Sequence, residues 1–110
     1  MTWNIFSKIP FLLVALFLSA TAYAEPAWID VRSEIEHRID NIEGDPRIAH
    51  TEVVQELSKL FPDKDAEIHL YCRSGGRAEK AKAALLNAGY NNVSNAGGID
   101  DARKARGLNE

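Results

Sequence analysis

The chain has 110 residues, 45% of them hydrophobic, with 13 Lys and Arg against 16 Asp and Glu and a formal net charge of −3. That length holds one small domain, and the acidic balance gives no reason to expect nucleic acid or an anionic membrane surface as a partner. A single cysteine excludes an internal disulfide, and the lack of repeated Cys/His pairs excludes a structural zinc site.

Residues 1–24 read as a secretory leader. Lys8 is the one positive side chain, Ile9 to Leu18 form an apolar run broken only by Pro10, and Ala22-Tyr23-Ala24 has the small-x-small form of a cleavage site. The run is too short to act as a stable membrane anchor. Cleavage after Ala24 leaves residues 25–110, with 12 Lys and Arg, 16 Asp and Glu and a net charge of −4.

Trp28-Ile29-Asp30-Val31 reads as the first strand. Ser33-Glu34-Ile35-Glu36 has the form of a capping box, so a short helix starts at Ser33, with Ile35, Ile39 and Ile42 at helical spacing. Gly44-Asp45-Pro46 breaks the pattern, and Arg47-Ile48-Ala49 leaves room for a brief second strand. His50 to Phe61 reads as an amphipathic helix with Val53, Val54, Leu57, Leu60 and Phe61 on one face. Pro62-Asp63-Lys64-Asp65 ends it in a turn, and Glu67 to Tyr71 is a third strand that delivers Cys72.

After the cysteine, the alanine-rich segment 78–88 predicts a helix with Ala81, Ala84, Leu85 and Ala88 toward the core and a stop at Gly89. A last strand is expected around Asn92-Val93-Ser94, then a Gly97-Gly98 turn, then a short helix or frayed end from Ile99 to Glu110. Strands alternating with helices predict a small α/β domain: an open parallel sheet with helices on both faces and a ligand site at the carboxyl ends of the strands.

Tyr71-Cys72-Arg73-Ser74-Gly75-Gly76-Arg77 carries the chemistry. A lone cysteine is more often an inert, buried small hydrophobe. This one sits at a strand end, beside a Gly-Gly loop, between two arginines, which is the environment of a reactive thiol. Loop N–H groups and the following helix N-terminus would converge on the sulfur and favour negative charge, so its pKa is expected to fall. Arg73, Arg77 and Arg32 are candidates for a positive pocket that captures a small anion.

None of His37, His50 and His69 adjoins Cys72, which leaves a Cys–His hydrolase weakly supported. His69 alternates with Leu70 and is expected to face away from the cysteine. Asp30 reads as structural support, taking hydrogen bonds from backbone or an arginine, because a carboxylate beside a thiolate would oppose its ionisation. Arg32 reads equally as a surface charge or as a pocket rim.

In chain order, the Trp28-to-Ser33 segment, Ile42-Glu43-Gly44, the Cys72-to-Arg77 loop, Gly89-Tyr90 and Asn95-Ala96-Gly97-Gly98 resemble the landmarks of a single rhodanese domain. With the leader, the chain looks like the exported phage shock protein E type. The resemblance spans nearly all of residues 25–110 and implies a thiosulfate sulfurtransferase. Cys72 would attack the outer sulfur of thiosulfate, release sulfite, and pass the sulfur from a persulfide to cyanide or a thiol acceptor. The amides of Arg73, Ser74, Gly75, Gly76 and Arg77 would hold the transferred sulfur, while Arg73 and Arg77 would attract the small anionic donor. The resemblance also implies no metal or organic cofactor, a periplasmic location and a monomer.

The chain departs from the family pattern at Asn41, where relatives commonly have histidine, and at Asp45, where they have a small apolar residue. It also departs at Ile99, near which many relatives place an aromatic one. These departures bear on the geometry around Gly44 and on the acceptor. Cdc25-like phosphatases share the fold and the amide-lined loop, but they place five residues between cysteine and arginine. Here four precede Arg77, and Ala78 takes the phosphatase position. The alternative of a different class is an exported persulfide carrier or thiol-sensing module without multiple turnover.

Overall fold

The computed structural model describes residues 25–109, and the expected leader lies outside them. Among these residues the strands are β1 (Ala27–Asp30), β2 (Ile68–Cys72) and β3 (Val93–Gly98), parallel and side by side in that order. The helices are α1 (Glu34–Ile39), α2 (Val53–Leu60), α3 (Gly76–Asn87) and α4 (Ile99–Ala105).

The two-residue pleat sorts the side chains into two cores. Ile29 and Val31, with Ile68, Leu70 and Cys72 of β2, meet Val53 and Leu57 of α2 and Ala78, Ala81 and Leu85 of α3. On the other face Tyr71 packs with Ile42, Ile99 and Ala102, with Trp28 and Ala96 beside them. Helices therefore cover both faces, and the central strand is buried on both sides, as parallel strands are. Each fully buried Ile or Leu contributes about 1.5–3 kcal/mol relative to exposure, so Ile29, Leu57, Leu70 and Leu85 anchor the larger core.

The local signals in the sequence explain the helix ends. Ser33 Oγ accepts from the Glu36 N–H while the Glu36 carboxylate accepts from the Ser33 N–H, closing the capping box of α1. At the end of α3, Gly89 adopts φ +102°. There the Gly89 and Tyr90 N–H groups reach back to the Leu86 and Leu85 carbonyls, a Schellman closure that seats Tyr90 in the core.

Six expectations need correction, and two concern single side chains: Val54 and Leu60 of α2 are exposed rather than packed with Val53 and Leu57, and Ala84 of α3 is exposed rather than turned toward the core. Arg47-Ile48-Ala49 makes only a single bridge from Arg47 to Asp30, because Pro46 has no N–H to extend the ladder and β1 ends at Asp30. The second helix starts at Val53 rather than His50, after a turn in which Glu52 N–H donates to the Ala49 carbonyl. Gly97-Gly98 is the end of β3, not a separate turn. Finally, α1 buries none of its residues, so Ile35 and Ile39 face solvent although Ile42 beyond it is buried.

Candidate active site

Strand β2 carries Cys72 to the carboxyl edge of the sheet, in register with Gly98. The register slips just before it: Leu70 pairs with Asn95 but Cys72 with Gly98, so β3 holds one extra residue there. Gly97, with φ +91°, absorbs that bulge. Its neighbour Gly98 lies so close to the Arg73 carbonyl that a Cβ would overlap the oxygen. Gly75 also has a left-handed backbone, φ +104°, and caps α3. Asn95 ties these parts together: its Nδ2 donates to the Gly75 carbonyl at 3.0 Å while its Oδ1 accepts from the Gly97 N–H at 2.9 Å. The Gly98 N–H in turn donates to Asp101 Oδ2 at 2.8 Å, fixing the start of α4.

The loop wraps its amides around the sulfur. Gly75 N–H donates to Cys72 Sγ at 2.9 Å. Burial by itself pushes the thiol pKa up, but the N–H groups of Ala78, Ser74, Gly75 and Arg77 outweigh it and hold the thiol below its ordinary value. A lowered pKa favours the thiolate, the nucleophilic form of cysteine, and the same amides suit a sulfur that carries negative charge.

The three arginines occupy different situations. Arg77 is forked onto Glu36, Nη1 to Oε1 at 2.6 Å and Nη2 to Oε2 at 2.9 Å, and this pair, against burial, holds the Glu36 carboxyl well below the usual carboxylate range. Arg32 is buried and donates to both oxygens of the fully buried Asp30, at 3.0 and 2.8 Å, and to the Asp40 carbonyl. Arg73 and Ser74 are exposed, and among the described residues Arg73 makes no ion pair. An open cleft of about 470 Å³ is lined by Arg32, Arg73, Glu36, Asp40, Ile39, Ile99 and Asp100. A smaller concavity of about 260 Å³ between Pro46–Ala49 and α2 is lined by none of the cysteine-loop residues.

Asp30 is the hub beneath the site. Besides the Arg32 side chain it accepts from the Arg32 N–H at 2.9 Å, and His37 Nδ1 lies 2.9 Å from its Oδ2. Burial raises its pKa, but the bonds from Arg32 and His37 outweigh burial and lower it. At the expected departure, Asn41 Nδ2 donates to the carbonyl of His37, the residue whose ring meets Asp30. A second departure, Asp45, accepts from Tyr71 Oη at 2.7 Å and pairs with Arg106, which lies over the Trp28 ring. His69 stacks on Trp28 and bonds Ser94 and Glu67, on the sheet face away from Cys72. Among the described residues no group of three or more His, Cys, Asp or Glu side chains could hold a metal.

Sequence reasoning missed Glu36 as the partner of Arg77, because its capping-box role already accounted for it. It also passed over Asn95 and Asp101 as loop anchors; the signal present was the Asn95-to-Gly98 landmark, a polar residue two places before a glycine pair.

A buried thiol held below its ordinary pKa by loop amides, between a parallel strand and a helix, is a class of site suited to negative charge. The family model of the rhodanese-like domain matches residues 17–105, and the chain belongs to that family. It is 34% identical over 90 residues to the thiosulfate sulfurtransferase PspE of Escherichia coli strain K12, covering 82% of this chain and 86% of that one. A solved structure described as rhodanese with anions from E. coli superposes with a TM-score of 0.67 at 34% identity, over 70% of this chain and 91% of that chain. The tRNA uridine(34) hydroxylase of Photorhabdus laumondii is 34% identical over 85 residues, which are 72% of this chain but only 24% of that longer protein.

Proposed function

We propose that this rhodanese-like protein is a sulfurtransferase that takes the outer sulfur of thiosulfate onto Cys72 and delivers it to cyanide or a thiol. The carrying observation is the set of loop N–H groups converging on Cys72 Sγ. They stabilise the attacking thiolate and then, one sulfur further out, a persulfide anion. The Cys72 thiolate attacks the outer sulfur, a new S–S bond forms, and sulfite leaves with the electrons of the broken bond. The acceptor then attacks the terminal sulfur and the Cys72 thiolate is regenerated, so ping-pong kinetics are expected.

In this reading Ser74, Gly75, Gly76 and Arg77 present backbone amides, Arg73 offers the open positive charge to the donor, and Arg77 adds a charge moderated by Glu36. Asp30 holds the Arg32 guanidinium, which lines the cleft together with Arg73. The spacing to Arg77 supports sulfur over phosphate, since Cys72 is followed by four residues rather than five before the arginine. The sequence of residues 1–24 supports export to the periplasm with cleavage after Ala24, for which the test is a mature mass beginning at Glu25.

The deciding experiment is a mass spectrum after exposure to thiosulfate. A gain of one sulfur on Cys72, absent in Cys72→Ser, is expected, together with multiple turnovers of thiocyanate when cyanide is supplied. Hydrolysis of an aryl phosphate faster than sulfur transfer would overturn the proposal, and a stable persulfide that never turns over would leave a carrier in its place.

A further inference from the structure

Gly75 N–H donates to Cys72 Sγ at 2.9 Å, yet Gly75 has no side chain by which it can be held. Its backbone is left-handed, and a Cβ there would stand 3.5 Å from Gly97 Cα, so the loop lies against β3 at this point. What fixes its N–H relative to the sulfur must therefore grip the Gly75 backbone itself. Two groups do so. The Glu79 N–H donates to the Gly75 carbonyl at 2.9 Å, as the first helical bond of α3, and Asn95 Nδ2 donates to the same oxygen at 3.0 Å. The helical bond moves with α3, whereas Asn95 stands on β3, the strand beside the one that carries Cys72.

Both ends of the Asn95 amide are engaged. Its Oδ1 accepts from the Gly97 N–H at 2.9 Å, inside the bulge of β3, and its Nδ2 also donates to Glu79 Oε1 at 3.1 Å. A backbone N–H only donates and a carbonyl only accepts, so these partners fix which end of the amide is nitrogen. Asn95 is also paired with Leu70, just before the slip that sets Gly98 opposite Cys72. It thus stands where the sheet, the bulge and the cysteine loop meet.

Building on the reading of Cys72 as the sulfur carrier, we propose that Asn95 is a positioning residue for sulfur transfer, tying Gly75 to the sheet so that the Gly75 N–H stays on Cys72 Sγ. It acts through Gly75 rather than on the sulfur. Strands β2 and β3 form one hydrogen-bonded frame, so the sulfur and the Asn95 amide keep their separation. The loop amide between them is then clamped rather than free to turn with α3. An N–H held on the sulfur favours the thiolate over the thiol. Without the tie that bond loses its alignment, and hydrogen bonds weaken steeply once bent.

The test titrates the full chain and follows the ultraviolet absorbance of the thiolate, which reports Cys72 alone because the chain has one cysteine. Asn95→Leu removes the tie without altering a charge: Arg77 with Glu36, Asp30 with Arg32, and Glu79 and Asp101 on the flanking helices all remain. Its titration midpoint is expected about one pH unit above wild type, with sulfite release from thiosulfate about tenfold slower below that midpoint. Asn95→Asp keeps an acceptor for the Gly97 N–H but sets oxygen against the Gly75 carbonyl, and it shifts the midpoint upward even in high salt, where its added charge is screened. Val93→Ala, in the core on the same strand, lowers the urea midpoint without moving the titration. A titration unmoved in the Asn95 variants, or moved as far by Val93→Ala, overturns this proposal while sulfur loading still succeeds. Failure of the wild-type chain to take sulfur from thiosulfate overturns the sulfur-transfer reading and this one with it.

Discussion

Gly98→Ala tests whether the close approach of β3 to the cysteine loop sets the geometry of the site. A Cβ at Gly98 would overlap the Arg73 carbonyl oxygen and lie 3.0 Å from its carbon and 3.5 Å from Asp101 Oδ2. The offending atoms are backbone, so no side chain can swing aside. Restoring ordinary van der Waals separation of roughly 3.5 Å requires the Arg73 peptide to move by about 1 Å. Overpacking of this kind costs about 1–3 kcal/mol of stability. A displacement of about 1 Å at a reacting group can lower the rate by about 100-fold. Gly76 is the matched control for stability, since a Cβ there meets nothing within 4 Å and its backbone is ordinary for an L residue. Urea unfolding is expected to show Gly98→Ala destabilised by about 1–3 kcal/mol and Gly76→Ala unchanged or slightly stabilised. Stopped-flow sulfite release should fall by one to two orders of magnitude in Gly98→Ala, roughly the effect of that displacement. Retention of both stability and sulfite release within twofold would refute the idea that contact between Gly98 and Arg73 positions the loop.

Glu36→Gln should release the Arg77 guanidinium from its fork and lower the KM for thiosulfate by about two- to fivefold, the range open to a partly exposed pair worth up to about 1 kcal/mol. Arg77→Ala should move that KM upward, more than it moves the KM for cyanide; identical thiosulfate KM values in all three proteins would remove Arg77 from donor binding. Asp30→Asn leaves Arg32 buried without its counter-charge and should cost about 3–5 kcal/mol in urea unfolding near neutral pH. Because the folded-state pKa of Asp30 is depressed, its contribution is fully present above the unfolded carboxylate pKa of about 3.9 and is lost as pH falls through the folded value. The stability gap between wild type and Asp30→Asn should therefore narrow below about pH 4, and a gap that widens on acidification would contradict the assignment.

Much of this molecule follows from residues that act on their near neighbours. Ser33 and Glu36 close a capping box across a single turn, Gly89 stops α3 where the backbone turns left-handed, and the alternation of apolar residues fixes which side of β2 faces α2 and α3. The cysteine at a strand end before a Gly-Gly loop likewise predicts an amide-lined thiol, because backbone N–H groups after a strand have few other directions to point. Where the sequence misled, the missing information was distant. The Gly97-Gly98 pair reads as a turn until β2 lies beside it and accepts a bulge, and Arg47-Ile48-Ala49 reads as a strand until Pro46 denies it a ladder.

The sequence alone determined the class of chemistry, since a lone thiol in Cys72-Arg73-Ser74-Gly75-Gly76-Arg77 has its amides and spacing written in six consecutive residues. Only the tertiary structure decided how the charges around it are spent. Arg77 meets Glu36 across 41 positions, Asn95 reaches Gly75 across 20, and Arg103 reaches Asp40 across 63. Among the described residues those pairings involve Arg77 and Arg103 but not Arg73, which makes no ion pair. Ion pairing depends on separation in space, which parallel crossovers set and which no local pattern in the chain encodes.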